Sequence, residues 1–221
     1  MNQRRLAIIT GISLILMAIL AGFSIGFAYG EFYKPKQIEF LKDNILQNMG
    51  LYQSMLIGIL MILILDLLVS YTLFKYFEDD NKKISFISGI IRVIYTIIFG
   101  IATYYLTKNL NAIELTSEII NSNFQNFQTI WNSGLILFGV HIFLIGGLMK
   151  IHKQIPKFLW YLTLIAGISY VVVHLLKLRY SNTVIAKTLE MILTLPMVIG
   201  ELGLAVWLLI KGGKEIKNIT S

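Results

Sequence analysis

Glu201 stands in VIGELGLAVWLLIKGG, residues 198–213, a run otherwise suited only to lipid or to a protein interior. A carboxylate at the centre of a bilayer costs roughly 2.5–3.5 kcal/mol on insertion scales, so its presence calls for a partner, a proton or a task. Asp66, Arg92 and His141 interrupt other apolar runs in the same way. Counted at 1.5 Å per residue from the nearer end of each run, all four fall at roughly 12–15 Å depth and could share one layer. Asp66 and Arg92 are the natural ion pair, because a short polar segment joins their runs and makes them antiparallel neighbours. Arg does not discharge and needs a carboxylate. Glu201 and His141 are then expected to form a second pair whose protonation could change near neutral pH. Tyr95 and Thr96 follow Arg92 on much the same helix face and could complete hydrogen bonds, while Pro196 is expected to kink the run that carries Glu201. Such a layer suits a binding or transport site for a small polar ligand or protons. No residue is expected to be catalytic. Asp66, His141 and Glu201 have the right ligand types for a metal, but Arg92 beside them would repel a cation, so neither a metal nor a cofactor is expected.

The elements that must position these groups follow from composition. Of 221 residues 56% are apolar and 14% charged, with a mean hydropathy of +0.72, which places the chain outside the soluble globular class. The formal charge of +7 would suggest nucleic acid in a soluble protein. Here Lys and Arg gather at the ends of apolar runs, where they read as topology signals and headgroup contacts, so no nucleic-acid partner is expected and the bilayer is. With no cysteine, disulfides and thiol nucleophiles are excluded.

Apolar runs at 6–29, 51–76, 84–107, 131–150, 158–177 and 188–211 each approach the roughly 20 residues that cross hydrocarbon as a helix. Lipid cannot satisfy an open backbone, so every crossing must be helical. The expected fold is all-α: a polytopic bundle of six transmembrane helices forming one domain over residues 1–221. The first run is too long for a signal-peptide core and is read as an uncleaved span. Connections 30–50 and 108–130 carry apolar residues at helical spacing, among them Leu41, Ile45, Tyr52, Ile120, Phe124 and Phe127. Short amphipathic helices at the interface and extensions of the following spans account for this equally well. If both chain ends are cytoplasmic, eleven basic residues fall inside and seven outside, with Arg92 in the membrane. Positive-inside bias therefore favours that orientation.

Several ordered landmarks, LDLLVSYTLFKYF, GIIRVIY, LFGVHIFLIGGLMK, IPKFLWYLTLIAGISYVV and GELGLAVWLLIKGG, resemble the bacterial membrane family known as domain of unknown function 4386. The most specific matches are Phe138, Gly139 and His141, then Gly200, Glu201, Trp207 and Lys211; Asp66 and Arg92 also fit the pattern. The resemblance implies a multi-pass protein of the bacterial plasma membrane and supplies no reaction or substrate. Three readings follow for the layer. The leading one is the ligand or proton site. Its rival is a structural or interaction subunit, such as a homo-oligomer, whose polar cluster only fixes helix packing. An intramembrane metal-dependent hydrolase is third.

Overall fold

The computed structural model describes residues 2–34, 37–180 and 184–214, and among them all regular structure is helical. Helix α1 spans Gln3–Ala21 and continues through a π-helical segment, Gly22–Ala28, into Tyr29–Phe32. A short α2, Leu41–Gln47, precedes the 60-residue α3, Met49–Lys108. Then come α4, Ser117–Ile151, α5, Lys157–Tyr180, and α6, Val184–Ile210.

Five helical stretches are long and apolar enough to cross a membrane: Gln3–Phe32, Met49–Glu114, Ser117–Ile151, Lys157–Tyr180 and Thr188–Ile210. Their outward faces carry large apolar side chains, for example Ile57, Leu60, Ile64 and Leu68 along α3, of a kind water-soluble monomers do not expose in continuous bands. By helix length and composition this is a multi-pass membrane protein. Three of the lysines that enter the positive-inside count bear no structural statement: Lys36 and Lys217 lie outside the described residues, as does the side chain of Lys187.

The second stretch holds two of the apolar runs read in the sequence. Its backbone leaves helical geometry at Asn81 (φ −161°, ψ 97°), where the Asn81 side chain accepts from the Ile84 N–H at 3.0 Å and so caps the second half of α3. The chain folds back on itself there. Ser85 Oγ donates to the Phe74 carbonyl and Ser70 Oγ to the Gly89 carbonyl, each at 2.8 Å, and one turn deeper Arg92 meets Asp66. Phe74, Ser70 and Asp66 lie four residues apart on one helix face, so each rung brings the next partner into reach.

Between helices in lipid, apolar burial provides little drive, and close backbone approach through small residues does more. The α4–α5 contact is of this type: a Cβ on Gly167 would lie 2.5 Å from the Phe143 nitrogen and one on Gly139 would lie 2.8 Å from the Gly167 carbonyl. Gly200 seats α6 on Ala166 of α5 in the same way, at 2.9 Å. At the end carrying Gln3 and Ile210, Gly11 packs on Ala205 and Leu209. There Arg4 donates to the carbonyls of Leu208, Leu209 and Gly212 at 2.7–3.1 Å, closing the last turn of α6. His152 Nδ1 and Asp80 Oδ2, 2.8 Å apart, tie the α4–α5 connection to the α3 reversal at this same end.

The opposite end is aromatic. Leu41, Ile45, Tyr52, Ile120, Phe124 and Phe127 are buried there together with Tyr29 and Phe32. Of the apolar residues noted in the two long connections, Leu41 and Ile45 lie in the separate short α2, whereas Ile120, Phe124 and Phe127 belong to α4, which begins well before its apolar run. Tyr52 donates to the Leu106 carbonyl at 2.7 Å, and Asn109 and Asn123 extend that chain of bonds.

Candidate functional site

The α3 reversal and the glycine contacts of α4–α6 bring the four intramembrane ionisable residues into one neighbourhood. Asp66 and Arg92 are each 1% exposed or less. Arg92 Nε and Nη2 both donate to Asp66 Oδ1, at 3.0 and 2.6 Å. Nη1 lies 3.2 Å from His141 Nε2. Guanidinium has no lone pair to offer, so Nε2 must be the acceptor and the ring's proton sits on Nδ1. That assignment suits the other side of the ring, where Nδ1 is 2.9 Å from the Ser88 carbonyl and 2.8 Å from its Oγ. His141 is thus held as a neutral imidazole. The Phe138 ring lies 5.3 Å from the Arg92 guanidinium carbon, and Met17 of α1 covers it with its sulfur at 3.9 Å.

Glu201 belongs to the same neighbourhood with a different partner. Its Oε1 accepts from the Tyr170 hydroxyl at 2.7 Å. The sequence pairs it with His141, but the bonds of His141 go to Arg92 and Ser88. A void of about 10 Å³, roughly the size of one water, is lined by Arg92, His141 and Glu201, so the three do share a space. Tyr95 is buried against Phe138, with ring centroids 4.8 Å apart. Thr96 returns its hydroxyl to the Arg92 carbonyl on its own helix. Pro196 lies within α6, one turn from Glu201.

Above this layer lies a cavity of about 630 Å³. Asp66 and Glu201 form its floor with Tyr95 and Tyr170; Met17, Ile25, Leu135, Phe138 and Met197 are among its apolar walls. Asp66 Oδ2 is buried and has no hydrogen-bond partner. Glu201 is only half-buried, because part of its side chain faces the cavity. The opening runs along the seam between α1 and α6, where the lining residues Ala18, Gly22, Thr194 and Val198 are exposed.

Sequence reasoning missed the polar track that climbs this cavity. Tyr170, His174 and Lys177 line it from one face of α5. His174 Nδ1 is 2.9 Å from Asn132 Oδ1, and Lys177 pairs with Glu190 of α6. His174 is 7% exposed although it lies three residues from the end of the apolar run 158–177. The spacing of the three residues was the available signal.

Asp66 and His141 could serve as metal ligands by type, but the lone pairs of Asp66 Oδ1 and His141 Nε2 both point at Arg92. A cation between them would displace a guanidinium already bonded to both.

Residues 9–212 match the family described as Domain of unknown function (DUF4386), and the chain belongs to that family. A relative from Archaeoglobus fulgidus, described as an uncharacterized protein, is 31% identical over 159 residues, which cover 72% of this chain and 84% of the relative. No solved structure matches.

Proposed function

We propose that the chain is one membrane domain whose cavity binds, or passes, a small polar ligand or protons at Asp66, Arg92, His141 and Glu201. The observation that carries this reading is a pair of carboxyl groups lining one cavity, Asp66 with its buried, unpartnered Oδ2 and the half-buried Glu201. An acceptor left bare in such surroundings costs about 1–3 kcal/mol or more, a cost that a bound donor removes. Tyr95 and Tyr170 supply further polar surface at the floor, and Pro196 removes one backbone bond from α6 beside it.

In this reading α3 crosses the membrane twice by reversing at Asn81, giving six crossings. The aromatic end, with α2 and the starts of α3 and α4, lies at the outer interface. Both chain ends face the cytoplasm of a bacterium whose plasma membrane holds the protein, in keeping with the basic residues at that end.

A structural role has its own supporting observation. The Asp66–Arg92–His141–Ser88 network ties both halves of α3 to α4 with nearly every donor matched, as packing glue in a subunit or homo-oligomer requires. Native mass spectra of gently extracted protein beside its Glu201→Gln variant separate the two. A discrete adduct present in the wild type and lost in the variant is expected. Bare protein in both would overturn the ligand site and leave the structural and proton-only readings standing.

A further inference from the structure

The cavity's chemistry points to one kind of occupant. Arg92 does not line this cavity: Nε and one N–H of Nη2 go to Asp66 Oδ1, and one N–H of Nη1 goes to His141 Nε2. What faces the cavity is acceptor capacity: the half-buried Glu201 carboxyl, which receives one bond from Tyr170, with the buried, unpartnered Asp66 Oδ2 in the same wall. Two carboxyl groups thus stand against one guanidinium, so with both ionised the excess is negative. An anionic head group would be repelled with little water to screen it. A donor bearing positive charge would fill the gap.

The walls agree. Tyr95, Phe99, Phe138 and Tyr170 surround the floor, and aromatic faces attract ammonium groups when water is excluded. Along α1 and its π-helical continuation, Leu14, Met17, Ala18 and Ile25 offer only apolar surface. At the far rim Lys177 and Glu190 compensate each other, so no net charge opposes a cation there. The volume lies in the range that holds drug-sized molecules, roughly 300–1,000 Å³. The opening between α1 and α6 passes exposed Ala18, Gly22 and Val198, on a molecule whose outer surface is made for lipid.

We infer that the cavity takes a protonated amine on an apolar body, its N–H donors on the Glu201 carboxyl and its body along the α1–α6 seam. This rests on the reading of the cavity as a ligand site and adds the class of ligand.

The test uses three probes with one body and different heads, phenylbutylamine, phenylbutanol and phenylbutanoate, added to the purified full chain in zwitterionic nanodiscs. Thermal unfolding midpoints are read against probe concentration. The amine should raise the midpoint and bind about tenfold tighter than the alcohol, and phenylbutanoate should have no effect. Glu201→Gln, which keeps an oxygen for the Tyr170 hydroxyl, should erase the preference for amine over alcohol. Ala18→Phe, placed on the seam and away from the floor, should abolish the amine shift. Equal effects of alcohol and amine, or a preference for phenylbutanoate, would overturn the assigned class while leaving a ligand site. An amine shift that survives both substitutions would place the amine in lipid or elsewhere and overturn the inference. No shift with any probe would also overturn it. The ligand-site reading falls with it only if the native spectra show bare protein as well.

Discussion

Helices α1 and α6 meet in two different ways along their length. Near Gln3 and Ile210, Gly11 lies on Ala205, Gly212 on Ala7, and the Arg4 side chain closes the carbonyls of the last turn. Further along, Ala18, Ala21 and Gly22 of α1 face Thr194, Val198 and Glu201 of α6 across open space. Small residues serve opposite ends in the two regions. Where both helices present them and a partner carbonyl is satisfied, the backbones touch. Where α1 turns π-helical and α6 carries Pro196 and Glu201, the same small side chains leave room. The α1–α6 seam is therefore closed by packing near Gln3 and Ile210 and parted further along, beside two carboxyl groups.

Breaking the polar floor should have the largest effect on stability. Asp66→Asn leaves Arg92 buried without its counter-charge, and the expected loss is about 3–5 kcal/mol, read as a lowered unfolding midpoint in detergent or denaturant. Overfilling the closed end comes next. A leucine at Gly11 would meet Leu209 and the Ala205 carbonyl within 3 Å of its Cβ, and a loss of about 1–3 kcal/mol is expected in the same assay. Glu201→Gln should change stability by less than about 1 kcal/mol, since the Tyr170 hydroxyl keeps an acceptor, yet remove bound ligand from the native spectrum. Ala18→Phe sharpens the comparison most, because it adds volume only where the helices part. Its stability should stay within about 0.5 kcal/mol of wild type.

Several of these features were legible in the sequence. Run lengths announce the all-helical membrane architecture, and charged residues inside those runs announce the polar cluster. The Asp66–Arg92 contact follows from the short link between their runs. Depth can be counted along a helix, but rotation about its axis cannot, and that is where the reading stopped. His141 faces Ser88 and Arg92 because the Gly139–Gly167 crossing sets the roll of α4. Glu201 faces Tyr170 because Gly200 sits on Ala166. Neither pairing is encoded in local spacing. The cavity is a space between helices distant in sequence, and no single run reveals it. His174 shows the same limit, since only the azimuth of its helix turns it toward Asn132.

The most direct measurement asks whether the open end gives access to Glu201. A lipid-soluble carbodiimide is allowed to react with the protein in nanodiscs, and the peptide containing residue 201 is mapped by mass. Asp66, bonded twice to Arg92, should stay unmodified. The account predicts labelling at Glu201 that Ala18→Phe suppresses. An unlabelled Glu201 in folded protein, or labelling indifferent to Ala18→Phe, would contradict it.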